Sequence, residues 1–221
     1  MGVLKIFDVK EDIQGMLGIW ELTESCGSLH EQFRFSEKEK SQYEKIINEK
    51  RKCEFLAIRL LLQEMMHNKT EISYNNAGKP FLDEKLHLSI SHSSDLVAVL
   101  LSKQPAGIDV ENLGRNIERV AARFLSIQET IHLQNINNAG RARVLYWCAK
   151  EALFKCTPMS DIDFKNHISI DPFFPVTDSG KFGGRLIKNN HLANFIFHYQ
   201  IFKNNAVVYC LETDNPWDQI K

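Results

Sequence analysis

Residues 143–156 read RVLYWCAKEALFKC, and this stretch decides the fold of the second half of the chain. Its apolar residues, such as Val144, Trp147 and Cys148, recur among charged ones at the spacing of a helix that buries one face. Pro158 stops the pattern, because proline has no amide hydrogen to donate and its ring clashes with the preceding turn. The sequence therefore predicts a strong helix over residues 143–156.

Strand-like segments lie on both sides of this helix. They alternate between apolar and polar residues or are apolar throughout, as short strands are. We predict strands over residues 86–91, 95–101 and 107–111 before the helix, and over 167–170, 182–187, 194–202 and 206–212 after it. Turn residues separate the later strands at 178–180 and 204–205, and we interpret the glycine-rich residues 180–184 as a hairpin turn.

The first half of the chain has the same mixture of helix and strand. Residues 3–9 alternate as a strand, and residues 36–66 form a long region that is mostly helical in pattern. Ser36 and Glu39 have the spacing of a capping box at its start. Residues 75–80 form a turn by composition.

Length and pattern together predict the domain organisation. The chain has 221 residues and a mass of 25.5 kDa, which suits one large domain or two small ones. Because both halves mix a main helical region with a few strands, we place a seam near Gln104-Pro105, which gives halves of 1–104 and 105–221. A chain of this size can bury roughly 70 % of its unfolded surface, so its core needs no disulfide or metal. The predicted fold class is α+β, with two α/β halves.

Charge and composition exclude several classes of protein. Lys and Arg number 27 against 28 Asp and Glu, so the chain lacks the basic excess of a typical nucleic-acid binder. No apolar run reaches 18 residues and residues 1–11 lack a signal-peptide pattern, so we expect no membrane span. Five scattered cysteines without a CxxC pair argue for reduced thiols and a cytoplasmic protein. Motifs of P-loop, dinucleotide-binding, zinc-protease and nucleophile-elbow proteins are absent.

A first group of residues could bind phosphate. Gly78-Lys79-Pro80 forms a turn, and a later strand ends in Ser91-His92-Ser93. Hydroxyls and a histidine at a strand end can aim several donors at a phosphate, and Lys79 adds a positive charge. Taken alone, each stretch is more often an ordinary turn or an ordinary strand end.

A second group could bind a cation. Asp109 and Glu111 lie two apart in a predicted strand, so both side chains point to one face. Two carboxylates on one face repel each other unless something positive binds, and a hard cation such as Mg²⁺ removes the conflict. The alternative is a solvated strand end that carries two surface acids.

A third group lies on the helix of residues 143–156. Trp147, Glu151 and Lys155 are spaced four apart and share one stripe of that helix. The alternative for the acid and the lysine is an ordinary surface ion pair, which is worth about 0.5 kcal/mol or less.

In this order and at this spacing, the three groups resemble the 4′-phosphopantetheinyl transferases, in particular the surfactin-synthetase-activating type. The resemblance runs from about Arg51 to Lys155. It implies two similar α/β halves related by a pseudo-twofold axis, with coenzyme A in the cleft between them. It also implies transfer of the phosphopantetheine arm of coenzyme A to a serine of an apo acyl or peptidyl carrier protein, with release of adenosine 3′,5′-bisphosphate.

The resemblance also implies roles for individual residues. Mg²⁺ would be held by Asp109, Glu111 and Glu151. Coenzyme A would be bound by residues of both halves, namely Arg51, Arg59, Lys79, Pro80, Ser91, His92, Asp109, Lys150 and Lys155. We expect either Arg51 or Arg59 to lie near the 3′-phosphate, Lys155 to neutralise the pyrophosphate, and Lys150 to reach the same anion from the side.

Catalysis is implied for Glu151 and Lys155, and two residues are candidates for the general base. Residues 124–129 resemble a stretch of the family that ends in a glutamate sometimes given this role, so Glu129 is one candidate. Glu151 acting through a bound water is the other.

Three arginines could contact the carrier protein. Arg115, Arg119 and Arg123 are spaced four apart, and we predict a helix over residues 116–125 and a second helix over 126–135. A basic stripe on the first helix would suit carrier proteins, which are typically acidic around the modified serine. The alternative is a solvated face, in which Glu118 dilutes the positive charge.

Two other functions remain open at this stage. A non-catalytic relative that binds coenzyme A or carrier proteins would need no intact set of acids and lysines. A metal-dependent phosphohydrolase would be expected to show a histidine-rich or two-metal carboxylate cluster, which the sequence lacks. Because both halves lie in one chain, we expect a monomer.

Overall fold

The computed structural model of this chain describes residues 4–9, 14–82 and 85–213. The chain divides into two compact units, Met1–Lys103 and Gln104–Lys221. Both units combine helices with antiparallel sheet, which confirms the predicted α+β class. Among the described residues, no helix has the length and apolar character needed to span a membrane.

The first unit contains a four-stranded antiparallel sheet in the order β1-β2-β6-β5. The strands are β1 (Leu4–Val9), β2 (Gly15–Glu21), β5 (His87–His92) and β6 (Leu96–Ser102), with a short separate pair of β3 (Ser73–Tyr74) and β4 (Pro80–Phe81). Strands β1, β5 and β6 agree with the predicted segments to within one residue or two, whereas β2 was not predicted; Val3 lies outside the described residues.

The described residues of the first unit also form three helices. They are α1 (Cys26–Gln32), α2 (Glu37–Glu44) and α3 (Glu49–Met66). The predicted capping box at Ser36 and Glu39 is present. The region 36–66, predicted to be mostly helical, contains two helices, because the side chain of Asn48 accepts a hydrogen bond from the amide of Arg51 and starts a second helix, α3. Helix α3 packs on β2 and β6.

The second unit contains a five-stranded antiparallel sheet in the order β7-β11-β10-β9-β8. The strands are β7 (Ala106–Asn112), β8 (Ile168–Ile170), β9 (Ser179–Lys188), β10 (His191–Phe202) and β11 (Asn205–Thr213). All five were predicted, although several are longer than expected.

The interpretation of residues 180–184 as a hairpin turn is wrong, since they lie within β9. The glycines are needed there for packing: a Cβ atom on Gly180 would lie 2.7 Å from the ring of Tyr199, and one on Gly184 would lie 2.8 Å from the carbonyl oxygen of Ser169. The turn itself is at Asn189-Asn190, where both residues have positive φ.

The helices of the second unit are α4 (Ala121–Phe124), α5 (Ile127–Gln134) and α6 (Ala139–Cys156), and a 3₁₀ turn (Glu118–Val120) precedes α4. Helix α6 is the predicted strong helix, begun four residues earlier through the cap residue Asn138. Its apolar face packs on β7 and β11 and forms the core of this unit. The predicted helix over 116–125 is not continuous, because a 3₁₀ turn and a four-residue helix share that range.

Candidate functional site

Strand β7 and helix α6 approach each other closely in the second unit. A Cβ atom on Gly107 would lie 1.9 Å from the carbonyl oxygen of Ala152, so only glycine fits at this position. The side chains two and four residues further along β7 belong to Asp109 and Glu111, and α6 carries Glu151. The close approach brings these predicted residues into one region.

Asp109 is buried and has partners from α6 on two sides. The Lys155 ammonium lies 2.7 Å from Asp109 Oδ1 and 3.1 Å from the carbonyl oxygen of Ile108. The buried thiol of Cys148, two turns before Lys155 on the same helix, hydrogen-bonds to the carboxylate of Asp109. Burial and the neighbouring acids Asp109 and Glu111 raise the pKa of Cys148, so this thiol keeps its proton and donates it.

Glu111 is paired with Arg115, which follows β7 in a turn. The other carboxylate oxygen of Glu111 accepts a hydrogen bond of 3.0 Å from the amide of Asn112. The guanidinium of Arg115 lies 5.7 Å from the ring centre of Trp147 on α6. Arg115 therefore belongs to the surroundings of the acids, and the prediction of one helical stripe of three arginines is wrong.

The carboxylate of Glu151 lies close enough to both acids of β7 to interact with their negative charge. Its pKa is raised, first by burial and then by the carboxylate of Asp109, while Lys155 and Arg115 oppose the rise. Carboxylate oxygens are the ligands that Mg²⁺ prefers, so the chemistry of these three side chains suits that ion. Within the described ranges, however, no group of three His, Cys, Asp or Glu side chains is arranged to hold a metal ion.

Lys150 does not point toward these acids. Its side chain is fully buried, and its ammonium lies 2.7 to 2.9 Å from four oxygens: the carbonyls of Phe124, Phe164 and Ile168, and Oε2 of Glu129. Burial lowers its pKa, while the charge of Glu129 opposes that effect. This geometry contradicts the expectation that the Lys150 ammonium reaches a bound pyrophosphate.

Glu129 is equally enclosed, at 2 % exposure. Its carboxylate accepts hydrogen bonds from the amide of Ser126 at 2.7 Å, from the amide of Ile170 at 2.9 Å and from Lys150. A carboxylate with these donors is a poor general base, because taking a proton would cost it the ion pair. The sequence held a signal for this role: Ser126 and Glu129 have the same capping-box spacing as Ser36 and Glu39.

The first unit brings together two of the predicted phosphate-binding residues. Arg51, in the first turn of α3, places Nη1 2.7 Å from Nε2 of His92 at the end of β5. A third residue that the sequence reasoning missed, Glu54, contacts both of them. The signal for Glu54 was its position three residues after Arg51, where it faces the same side of the helix.

Arg59 is buried, so of the two arginines of α3 only Arg51 remains a candidate for binding the 3′-phosphate of coenzyme A. The residue is 2 % exposed, and its guanidinium bonds to Gln42 Oε1 and to the carbonyl of Phe55 at 3.2 Å each, with Glu39 Oε1 at 3.5 Å. Burial lowers the pKa of Arg59. The expectation that Arg59 binds coenzyme A is therefore corrected, since the side chain serves the core of the first unit.

The remaining phosphate-binding candidates lie on the turn between β3 and β4 and on β5. Gly78 has a φ of +76°, a conformation that favours glycine, and Lys79 follows it with an exposed side chain. Pro80 begins β4, and Ser91 is buried on β5 beside His92. The predicted turn over residues 75–80 is confirmed.

The comparison with known families bears on the second unit. Residues 105–210, which run from β7 into β11, match the family model of the 4′-phosphopantetheinyl transferase superfamily. This range carries Asp109, Glu111, Glu151 and Lys155. The match confirms, for residues 105–210, the resemblance found in the sequence.

Two relatives agree with the family match. A 4′-phosphopantetheinyl transferase (gsp) of Aneurinibacillus migulanus is 34% identical over 83 residues, which are 37% of this chain and 35% of the relative. A putative 4′-phosphopantetheinyl transferase of Haemophilus influenzae is 30% identical over 104 residues, 44% of each protein. The matched segments thus span less than half the length of either relative.

Proposed function

We propose that this chain transfers the 4′-phosphopantetheine group of coenzyme A to a serine of an apo acyl or peptidyl carrier protein. The product released from coenzyme A is adenosine 3′,5′-bisphosphate. The observation that carries the proposal is the meeting of Asp109 and Lys155, 2.7 Å apart on β7 and α6, inside the range that matches the superfamily. A displacement at phosphorus needs positioning and charge neutralisation more than covalent chemistry, and these side chains can supply both.

We propose Asp109, Glu111 and Glu151 as the residues that would hold Mg²⁺. The pKa of Glu151, raised by burial and then by the carboxylate of Asp109, supports this, because a bound cation would offset both effects. Without the ion, Lys155 and Arg115 supply the positive charge instead. Bound Mg²⁺ would neutralise charge on the pyrophosphate oxygens and so favour departure of the leaving group.

Other side chains of this protein would bind the pyrophosphate, act as the general base and position α6. Lys155, part-exposed beside Asp109, would contact the pyrophosphate and offset its charge. Of the two candidates for the general base, we retain Glu151 acting through a water molecule, because Glu129 is committed to Lys150. The buried pair of Lys150 and Glu129 would act indirectly, by fixing the rotation of α6 and with it the direction of Glu151.

The first unit would bind the phosphates of coenzyme A. Arg51 and His92 present nitrogen donors at the surface, and Lys79 and Ser91 lie on neighbouring segments of the same unit. Arginine and histidine suit phosphate because their N–H groups form charge-assisted hydrogen bonds. Monomeric state and a cytoplasmic location remain predictions.

The direct test is a transfer reaction read by intact mass. The protein is incubated with coenzyme A, Mg²⁺ and a panel of apo acyl and peptidyl carrier proteins. We expect a mass increase of one phosphopantetheine on at least one carrier, lost on addition of EDTA and lost in Glu151→Ala. The matched control is Glu212→Ala, which removes an exposed acid of β11 and should retain transfer.

The same experiment separates the alternative functions. Binding of coenzyme A without modification of any carrier would favour a non-catalytic relative. Release of adenosine 3′,5′-bisphosphate in the absence of a carrier would favour a phosphohydrolase. A protein that neither binds coenzyme A nor modifies any carrier would contradict the proposal.

A further inference from the structure

Glu54 is a buried carboxylate surrounded by basic side chains. Its side chain is 4 % exposed, and Oε2 lies 3.0 Å from Nη1 of Arg51. Oε1 lies 3.4 Å from Nδ1 of His92 and 3.8 Å from Nζ of Lys50. A single acid thus faces three residues that can carry positive charge.

The basic side chains extend from this buried acid toward the solvent. The side chain of Arg51 is 60% exposed and that of His92 is 30% exposed, while Glu54 stays in the interior behind them. With one Arg, one Lys and one Glu, the cluster has a net positive charge even when His92 is neutral. The charge of such a cluster suits an anion, because the acid orients the donors without cancelling their charge.

The contacts of His92 explain why an acid is needed there. A carboxylate on Nδ1 holds the proton on that nitrogen and fixes the direction of the ring, so that Nε2 faces Arg51 at 2.7 Å. The ring thereby holds the guanidinium of Arg51, which has five N–H donors and uses two of them on Glu54 and His92, so that others can bind a phosphate.

We propose that Glu54 is a positioning residue that holds Arg51 and His92 together for a phosphate monoester, the 3′-phosphate of coenzyme A. This inference rests on the proposed function. The preference for a monoester follows from charge, because a dianion is attracted more strongly by the fixed positive charges of Arg51 and Lys50 than the singly charged groups of a pyrophosphate are. Glu54 itself would not touch the ligand.

The test compares two ligands that differ by this one phosphate. Binding of coenzyme A and of 3′-dephospho-coenzyme A to the full chain is measured by titration calorimetry. The variants are Glu54→Gln, which keeps the shape but removes the charge, and Arg51→Gln, which removes a guanidinium whose side chain is 60% exposed. The control is Glu64→Gln, an exposed acid of the same helix.

We expect Glu54→Gln and Arg51→Gln to weaken coenzyme A binding about tenfold, the size expected for a lost charged hydrogen bond. Binding of the dephospho ligand should change by less than about twofold, so that the preference of the wild type disappears. A merely structural role would weaken both ligands equally, and that result would overturn the proposal. Unchanged binding of both ligands in Glu54→Gln would overturn it too.

The outcomes for the two proposals are distinguishable. A wild-type protein that prefers coenzyme A over the dephospho ligand but modifies no carrier would contradict the transfer reaction, and the variants would still decide the role of Glu54. A wild-type protein without that preference would overturn the assignment of Glu54, whatever its activity on carriers. If Glu54→Gln does not fold, Glu54→Asp takes its place, because the shorter side chain withdraws the carboxylate from Arg51 and His92. This variant should also lower the preference for coenzyme A, and an unchanged preference would overturn the proposal.

Discussion

Gly107 in β7 lies directly against the backbone carbonyl of Ala152 in α6, with no room between them for a side chain. The strand and the helix that carry the candidate acids are therefore held together at a glycine. Any side chain at residue 107 must move backbone atoms, because the nearest obstacle is a carbonyl oxygen and not the end of a flexible side chain.

We expect Gly107→Ala to lower the free energy of unfolding by about 1–3 kcal/mol, the cost of overpacking a core. It should also abolish transfer, because Asp109 and Glu151 would move apart. Urea denaturation measures the first effect and the carrier assay the second. The control is Gly140→Ala at the start of α6, where a Cβ atom would meet nothing within 4 Å and should stabilise the helix. Equal stability of both variants would contradict this account.

A second prediction concerns the buried ammonium of Lys150. Lys150→Met leaves the carboxylate of Glu129 buried without its cation, so we expect the free energy of unfolding to fall by about 3–5 kcal/mol. Lys155→Met should lose transfer with a much smaller loss of stability, because its side chain is 28% exposed. Denaturation and carrier modification are measured on both variants.

The opposite result would support the expectation from the sequence that the Lys150 ammonium contacts the pyrophosphate. If Lys150→Met unfolds like the wild type but binds coenzyme A more weakly, its ammonium acts on the anion. Glu129→Gln offers a further check, since it should lose stability and keep whatever transfer rate the folded fraction supports.

Simple periods predict which residues of the candidate site share a face within one element, whereas the resemblance to the 4′-phosphopantetheinyl transferases joined Glu151 to the acids of β7. Asp109 and Glu111 share one face of a strand, and Glu151 and Lys155 share one stripe of a helix. These periods depend only on backbone geometry, so they hold without knowledge of the partners. The strand positions could be predicted for the same reason.

Whether the neighbouring basic side chains are buried or exposed could not be predicted in this way. Lys150 lies next to Glu151 in the chain, yet the segments that cover it come from Phe124, Phe164 and Ile168. Arg59 lies two helical turns beyond Arg51, and whether either is buried depends on what α2 places against α3. Such contacts join residues distant in sequence, and local patterns do not contain them.

A third prediction concerns the thiol that supports Asp109. Cys148→Ala removes the hydrogen bond to the carboxylate, so we expect the Mg²⁺ concentration for half-maximal transfer to rise about tenfold, as for other residues that orient metal ligands. Cys148→Ser keeps a donor at the same place and should stay within about threefold of the wild type. A Mg²⁺ titration of transfer with each variant gives the comparison, and an alanine variant that behaves like the wild type would remove Cys148 from this role.

A fourth prediction concerns docking of the carrier. Arg119 and Arg123 are exposed on the 3₁₀ turn and α4, although they do not share a continuous helical stripe. If they attract an acidic carrier, the double variant Arg119→Glu/Arg123→Glu should raise the KM for the carrier about tenfold and leave the KM for coenzyme A unchanged. The control is Lys181→Glu, an exposed lysine of β9. Identical carrier kinetics in the double variant and the wild type would refute docking at these arginines.

A fifth prediction concerns the thiol of Cys53 on α3, which contacts Cys26 and lies near Tyr43. Burial, followed by the hydrogen bond with Cys26, raises its pKa from 9.0 to about 11. The thiolate is the reactive form, so at pH 8 alkylation of Cys53 by iodoacetamide should be about a hundredfold slower in the folded protein than in urea. Peptide mapping by mass spectrometry identifies the modified residue, and Cys53→Ser confirms the assignment.

The same thiol fixes the sign of a pH effect on stability. Because the folded state of Cys53 holds its proton more tightly than the unfolded state, this contribution to stability is complete below pH 9 and is lost as the pH rises through about 11. Cys53→Ser carries no such titration, so its free energy of unfolding should fall less steeply than that of the wild type between pH 9 and 11. Parallel stability curves for the two proteins, or equally fast alkylation in the folded and unfolded states, would show that the surroundings of Cys53 do not hold the proton in place.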